Sequence, residues 1–182
     1  MREQRRTDVG PNIEPGQIWL IEQNPATSLF ALDRGAFASA DAVLYDRAMA
    51  SLVALLLPLG GYAEPLSADA GEAEPVISPR ALKLAADGWG VVQLIEPCRR
   101  WRRRLRHPRQ QLGLVNGAAS PAIQLIAKGA AGRWCRREAR VPDLPELVDA
   151  LAEDELLTLI LGPLAGGAPG AAHAFVGNGL TG

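Results

Sequence analysis

The chain has 182 residues, 48% of them hydrophobic and only 5% aromatic, so it can bury a core built mainly from Leu, Val, Ile and Ala. Its formal net charge of −1 gives no general attraction to nucleic acid or to a membrane surface. No apolar run approaches the roughly 20 residues that a membrane-spanning helix needs, and the charged N-terminus lacks the apolar core of a signal peptide. The two cysteines, Cys98 and Cys135, are therefore expected to be reduced, which predicts a cytoplasmic protein without a membrane partner.

Apolar strands alternate with helices in the first 60 residues. After a polar segment at residues 1–15, which is expected to be flexible, Gln17–Ile21 predicts a strand and Thr27–Ser39 a helix. A short apolar strand then ends at Asp46, and Arg47–Leu57 predicts the next helix. This order is typical of a parallel α/β sheet, in which polar residues at the carboxyl ends of strands face a ligand crevice. Asp46 is therefore a candidate site residue, and capping of the following helix is its structural alternative.

The middle of the chain continues the alternation. Ser78 and Pro79 predict the start of a helix that runs to Asp87 and ends before Gly88. The apolar run Val91–Ile95 then predicts a third buried strand. We expect this strand to lie beside or near the first two in one parallel sheet.

Arginines are concentrated between Arg99 and Arg109, where a helix would carry guanidinium groups around most of its surface. Arginine binds carboxylates through two parallel hydrogen bonds, so the run predicts an anion site. A solvated basic helix is the plain alternative, and nucleic acid is an unlikely ligand because no recognisable nucleic-acid motif accompanies the run. The candidate anion-binding residues are Arg99, Arg102, Arg103 and Arg106.

Further strands and helices are expected after the arginines. Leu112–Pro121 predicts a strand and a turn, and Ala122–Lys128 the helix that follows them. Val141–Leu151 predicts another helix, and Leu156–Leu161 a strand. The histidines and cysteines have no spacing that indicates a metal site.

Two stretches resemble a known family. Ala40–Arg47, with the sequence Ala-Asp-Ala-Val-Leu-Tyr-Asp-Arg, is similar to the signature of the tetrapyrrole methylases, in particular the uroporphyrinogen-III C-methyltransferases, and Gly88–Leu94 resembles a second family stretch. The resemblance spans roughly residues 16–130. It implies a parallel-sheet, methylase-like N-terminal α/β domain at residues 16–110 and a truncated second α/β domain at residues 111–182. S-adenosylmethionine is the implied cofactor, and a carboxylate-rich tetrapyrrole is the implied small-molecule substrate.

The resemblance also implies roles for individual residues. It assigns proton acceptance to Asp46, since relatives use an aspartate at this turn. The positions that match cofactor contacts are Pro25, Leu94, Glu96, Ala119, Ser120, Leu161 and Ala174. The segments Glu22–Pro25 and Ile95–Pro97 lack the glycines of relatives, which let the backbone approach a ligand closely. Weak or absent binding of S-adenosylmethionine is therefore expected.

Two functions remain open at this point. The first is an S-adenosylmethionine-dependent, uroporphyrinogen-III-type methyltransferase with degenerate cofactor loops. The second is a non-catalytic relative that binds a tetrapyrrole, a partner protein or another polyanion through the run Arg99–Arg109. A homodimer is left open in both cases.

Overall fold

The computed structural model describes residues 12–66, 75–97, 99–114, 120–129 and 134–163, and these residues contain seven strands and six α-helices. In chain order the elements are β1 (Ile18–Glu22), α1 (Ala31–Ser39), β2 (Ala42–Tyr45), α2 (Ala50–Leu56), β3 (Tyr62–Pro65), α3 (Pro79–Ala86), β4 (Val91–Ile95), α4 (Arg99–Arg104), α5 (Pro108–Gln111), β5 (Ile123–Lys128), β6 (Trp134–Ala139), α6 (Leu144–Asp149) and β7 (Leu156–Leu161). Short 3-10 turns at Arg47–Met49 and Val141–Asp143 precede α2 and α6.

One sheet contains all seven strands, in the order β3-β2-β4-β1-β7-β5-β6. The pairs among β1, β2, β3 and β4 are parallel, whereas β7, β5 and β6 are joined by antiparallel pairs. The predicted neighbours are confirmed, because Val92 of β4 lies opposite both Trp19 of β1 and Val43 of β2. The mixed α/β class is therefore confirmed. Strands from both sides of residue 110 share the sheet, and the division into two domains at that point stays a prediction.

Helices cover both faces of the sheet. On one face α1 and α2 bury Phe37 and Val53 against side chains of the central strands. On the other face α3, α4 and α6 contribute buried side chains such as Trp101 and Leu144. The central strands β1 and β4 are buried along their whole length, because neither face of these strands reaches solvent.

The ends of α3 follow the predicted signals. The Ser78 hydroxyl accepts the backbone N–H of Ala81 at 3.1 Å, and Pro79 occupies the first helical position. Gly88, with φ of +91°, ends the helix in a conformation that side chains with a Cβ rarely adopt. The helix boundaries are thus set by local chemistry.

One predicted element is wrong. Ala122–Lys128 was expected to be a helix, but Ile123–Lys128 is the strand β5, which lies between β7 and β6. Both neighbours hydrogen-bond to its backbone, and its apolar side chains are buried on both faces, so a position inside the sheet stabilises the extended form. Ser120, expected at the start of that helix, is an exposed residue before the strand.

Candidate functional site

Three parallel strands end together at one edge of the sheet. β1, β2 and β4 are followed by Gln23, Asp46 and Glu96, which therefore lie at the same carboxyl edge. Backbone hydrogen bonds hold the strand ends together: Gln23 N–H donates to Ile95 O at 3.0 Å, and Asp46 N–H donates to Leu94 O at 3.0 Å. This edge is the candidate functional site.

Asp46 and Glu96 are in contact at this edge. The Asp46 Oδ2 atom accepts the backbone N–H of Glu96 at 2.9 Å. The Asp46 side chain makes no capping bond to the helical turn that follows, so its hydrogen bond is made across the sheet edge. Burial raises the pKa of the Asp46 carboxyl above its usual value, the Glu96 N–H opposes this rise, and the negative charge of Glu96 adds to it. Asp46 is therefore a half-buried carboxyl group without a cationic partner among the described residues.

A second carboxylate at this edge, that of Glu22, is paired with an arginine. The Glu22 side chain, which is 0% exposed, receives two hydrogen bonds from the Arg102 guanidinium, at 2.9 Å to Oε1 and 2.5 Å to Oε2. The Leu157 N–H also donates to Glu22 Oε2 at 2.7 Å, and Arg102 Nη2 donates to Glu155 O at 2.5 Å. Arg102 therefore faces the sheet and ties α4 to β1 and to the start of β7.

Two of the other candidate arginines lie further out. Arg103 and Arg106 are exposed, and Arg106 Nη2 lies 3.9 Å from Asp149 Oδ2 on α6. Arg99 begins α4. A cleft of about 600 Å³ lies at the corner between α4 and α5, and the residues that line it are Arg106, His107, Pro108, Arg109, Gln110 and Leu114. The exposed arginines thus face solvent and this cleft, whereas Arg102 does not.

The turn after β1 is filled by its own side chains. Gln23 is fully buried, and its Nε2 lies 2.9 Å from Asn24 O, from Thr27 O and from Thr27 Oγ1. The Asn24 Oδ1 atom accepts the N–H of Ala26 at 2.9 Å, and Pro25 is exposed. Side chains therefore occupy the place where a glycine turn would leave room for a ligand.

The predicted cofactor positions separate into two groups. Pro25 and Glu96 follow β1 and β4 at the carboxyl edge, near the end of β4 where Leu94 is buried. Leu161 pairs with Ile18 and Ile123 at the opposite edge of the sheet, and Ser120 lies just before β5 there. The structure does not bring the two groups together. Ala119 and Ala174 lie outside the described residues.

The sequence analysis did not predict a buried polar cluster that lies at the same end of the strands, on the opposite face of the sheet. Lys128 Nζ lies 2.7 Å from Asp33 Oδ2, and both side chains are 0% exposed. The Thr158 hydroxyl donates to Asp33 Oδ1 at 3.0 Å, and Lys128 Nζ donates to the carbonyl oxygen of Glu22 at 3.2 Å. Burial lowers the pKa of Lys128 below its usual value, although the charge of Asp33 opposes this shift. The incorrect helix prediction hid the cluster, because it gave Lys128 no place in the sheet.

In comparisons with known proteins, no family model and no curated protein matches the chain. Within the described ranges no helix is long and apolar enough to cross a membrane. The same residues contain no group of three or more His, Cys, Asp or Glu side chains that could hold a metal ion.

Proposed function

We propose that this chain is a tetrapyrrole methylase-like protein that binds a carboxylate-rich tetrapyrrole and in which S-adenosylmethionine-dependent methyl transfer is degenerate. The observation that supports it is the contact between Asp46 and the backbone of Glu96. Asp46 lies within one of the two stretches with the strongest family resemblance and Glu96 just after the other, and they meet at the carboxyl edge of parallel strands.

Asp46 is the proposed proton acceptor. Its raised pKa makes it a stronger base than an exposed aspartate, which suits acceptance of the proton that the tetrapyrrole would lose from another position when one of its ring carbons is methylated. The methyl group would pass from the sulfonium sulfur to that carbon, leaving the neutral thioether, and positioning of the two reactants would supply most of the rate enhancement.

The turn after β1 argues for weak cofactor binding within this proposal. The buried Gln23 side chain fills the turn with its hydrogen bonds to Asn24 and Thr27. A cofactor would have to displace these contacts and leave buried polar groups unpaired, which costs about 1–3 kcal/mol for each group. We therefore expect tetrapyrrole binding to survive more completely than methyl transfer.

A second candidate function is polyanion binding without catalysis. The exposed guanidinium groups of Arg103 and Arg106 and the cleft at the α4–α5 corner favour this alternative. Phosphate or carboxylate groups would then be recognised by charge and by paired hydrogen bonds, and the carboxyl edge would have no role.

Two titrations test the proposal. Calorimetry with S-adenosylmethionine is expected to show weak or undetectable binding, and a low-micromolar dissociation constant would contradict the closed turn. Uroporphyrin fluorescence is expected to change on binding to the wild type, and Asp46→Asn is expected to retain that affinity. Absence of uroporphyrin binding would refute the proposed substrate class.

Arginine variants then separate the two candidates. Arg103→Ala/Arg106→Ala removes two exposed charges of the run, and Arg34→Ala/Lys83→Ala removes two exposed charges elsewhere as a control. Arg102 is left intact because its loss would leave Glu22 buried without a cationic partner. A selective loss of uroporphyrin affinity in the first variant supports an anion site on the run. Duplex DNA binding that falls with salt by a log–log slope of about −0.9 per neutralised phosphate would favour the second candidate.

A further inference from the structure

The strand β6 forms the outer edge of the antiparallel half of the sheet. It spans Trp134–Ala139 and pairs only with β5 among the described residues. Five of its six residues are exposed and Ala139 is half-buried, so neither face is covered along most of its length. No described residue pairs with the backbone groups on its outer side, which another extended segment could therefore pair with.

The sequence of β6 is complementary to itself in one antiparallel register. When a two-fold axis relates two identical antiparallel strands, one residue lies opposite its own copy, and side chains on the same face meet across the pair. With Arg137 at the centre, Arg136 of each copy lies opposite Glu138 of the other copy. Two opposite-charge pairs form, and such directly opposed pairs stabilise a sheet.

The neighbouring registers are worse. A centre at Arg136 places two Arg136 side chains opposite each other and leaves Glu138 opposite Trp134. A centre at Glu138 places two Glu138 side chains opposite each other and sets Arg136 against Arg140. Like charges in direct opposition destabilise the pairing in both registers. A centre at Ala139 sets Glu138 against Arg140, but Arg140 already pairs with Asp143 and β6 would overlap its copy at a single residue. Charge and strand overlap together therefore favour the register centred on Arg137.

The charged side chains of β6 are available for these contacts. Glu138 and Arg137 make no ion pair or hydrogen bond through their side chains within the part of the chain that the structure describes. Arg136 donates from Nη2 to Gln124 on the neighbouring strand, which leaves its other nitrogens free to reach across the edge. The one like-charge pair in direct opposition is Arg137 with its own copy.

We propose that the chain forms a two-fold symmetric dimer in which β6 pairs antiparallel with β6 of a second copy, centred on Arg137. The pairing continues each seven-stranded sheet into that of the other copy. It satisfies the outer backbone groups of both strands and forms the two Arg136–Glu138 ion pairs.

Charge reversal tests the pairing. The full chain is expected to sediment as a dimer in a concentration-dependent equilibrium, and Glu138→Arg should raise the dissociation constant about tenfold, since it replaces two attractive pairs by two repulsive ones. The double variant Arg136→Glu/Glu138→Arg exchanges the charges and should restore the wild-type dissociation constant. Arg34→Glu, at an exposed site on α1, is the control and should leave it unchanged. A monomeric wild type, or a double variant as weak as the single one, would overturn the proposal.

Cross-linking tests the register. In a Cys98→Ser background, Ala139→Cys places a new thiol opposite Cys135 of the second copy, and mild oxidation should give a disulfide-linked dimer on a non-reducing gel. The same background without Ala139→Cys should give none, because the two Cys135 side chains are offset from each other. Arg137→Gln removes the one like-charge contact and should lower the dissociation constant about threefold. Cross-linking through Cys135 alone, or weaker association of Arg137→Gln, would exclude this register.

Discussion

The carboxylates at the carboxyl edge of the sheet differ in their burial and in their partners. Glu22 and Asp33 are completely buried, and each contacts a cation and at least one further hydrogen-bond donor. Asp46 is only half-buried, accepts one backbone N–H and has Glu96 as its charged neighbour. The Glu22 and Asp33 carboxylates connect helices to strands. Asp46 makes no such connection, and its pKa is raised.

This difference indicates which carboxylate is available for chemistry. A buried carboxylate that is hydrogen-bonded to a cation is held in one position, so it contributes to the scaffold. A carboxyl group with a raised pKa and partial exposure can exchange a proton with a ligand. The comparison therefore supports Asp46 as the proposed proton acceptor, and the following variants test it.

Lys128→Met is expected to have the largest effect. It leaves Asp33 buried with only the Thr158 hydroxyl as partner, and removing one member of a buried pair costs about 3–5 kcal/mol of unfolding free energy. Guanidinium denaturation measures the change. Lys128→Met/Asp33→Asn removes both charges and should recover most of the loss. A single variant within about 1 kcal/mol of the wild type would show that the pair is not a structural requirement.

Arg102→Ala should have a smaller but still large effect. Glu22 keeps the Leu157 N–H, and the Arg102 side chain is 16% exposed, so water can reach part of the site. We expect a loss of about 2–4 kcal/mol in the unfolding free energy. Arg103→Ala, one residue along the same helix and exposed, should change it by about half a kcal/mol or less. Equal effects of the two substitutions would remove the distinction between inward and outward arginines.

Asp46→Asn should have the smallest effect, and a stabilising one. A raised folded-state pKa means that ionisation of Asp46 disfavours the folded state, so wild-type stability declines as the pH rises from the usual value of 3.8 through the folded-state pKa. Asp46→Asn has no carboxyl group to ionise at this position, so its stability does not decline in this way. At neutral pH it should gain about half a kcal/mol or less, because partial exposure screens the interaction. Thermal unfolding at several pH values should show the gain disappearing below pH 3.8. A gain that persists in acid would contradict the assignment.

The fold was predictable where local chemistry and burial agree. Continuous apolar runs identified β1, β2 and β4, because strands buried on both faces are apolar along their length. Ser78 and Pro79 identified the start of α3 through their capping roles. β5 was not identified, because a short segment with four apolar residues in six fits a helix or a strand, and its neighbour β7 follows only after β6 and α6.

The site was predictable in part. The place of Asp46 at the carboxyl end of a strand was predicted, and its contact with Glu96 depends on β2 and β4 being neighbours. The inward orientation of Arg102 was not predictable, since its partner Glu22 lies 80 residues earlier. Residues of one type that follow each other in sequence have different roles once the helix turns some of them towards the sheet.

The position of β1 affects how the protein can be made. This early strand is the fourth of the seven, and the Leu157 N–H that helps to hold Glu22 comes from a residue 135 positions later. During synthesis, one side of β1 therefore stays unpaired until β7 has left the ribosome. Such distant pairings slow folding, and an unpaired strand edge is prone to aggregation. We therefore expect the sheet to be completed only after Leu161 has left the ribosome, and β1 to be the strand most in need of protection until then.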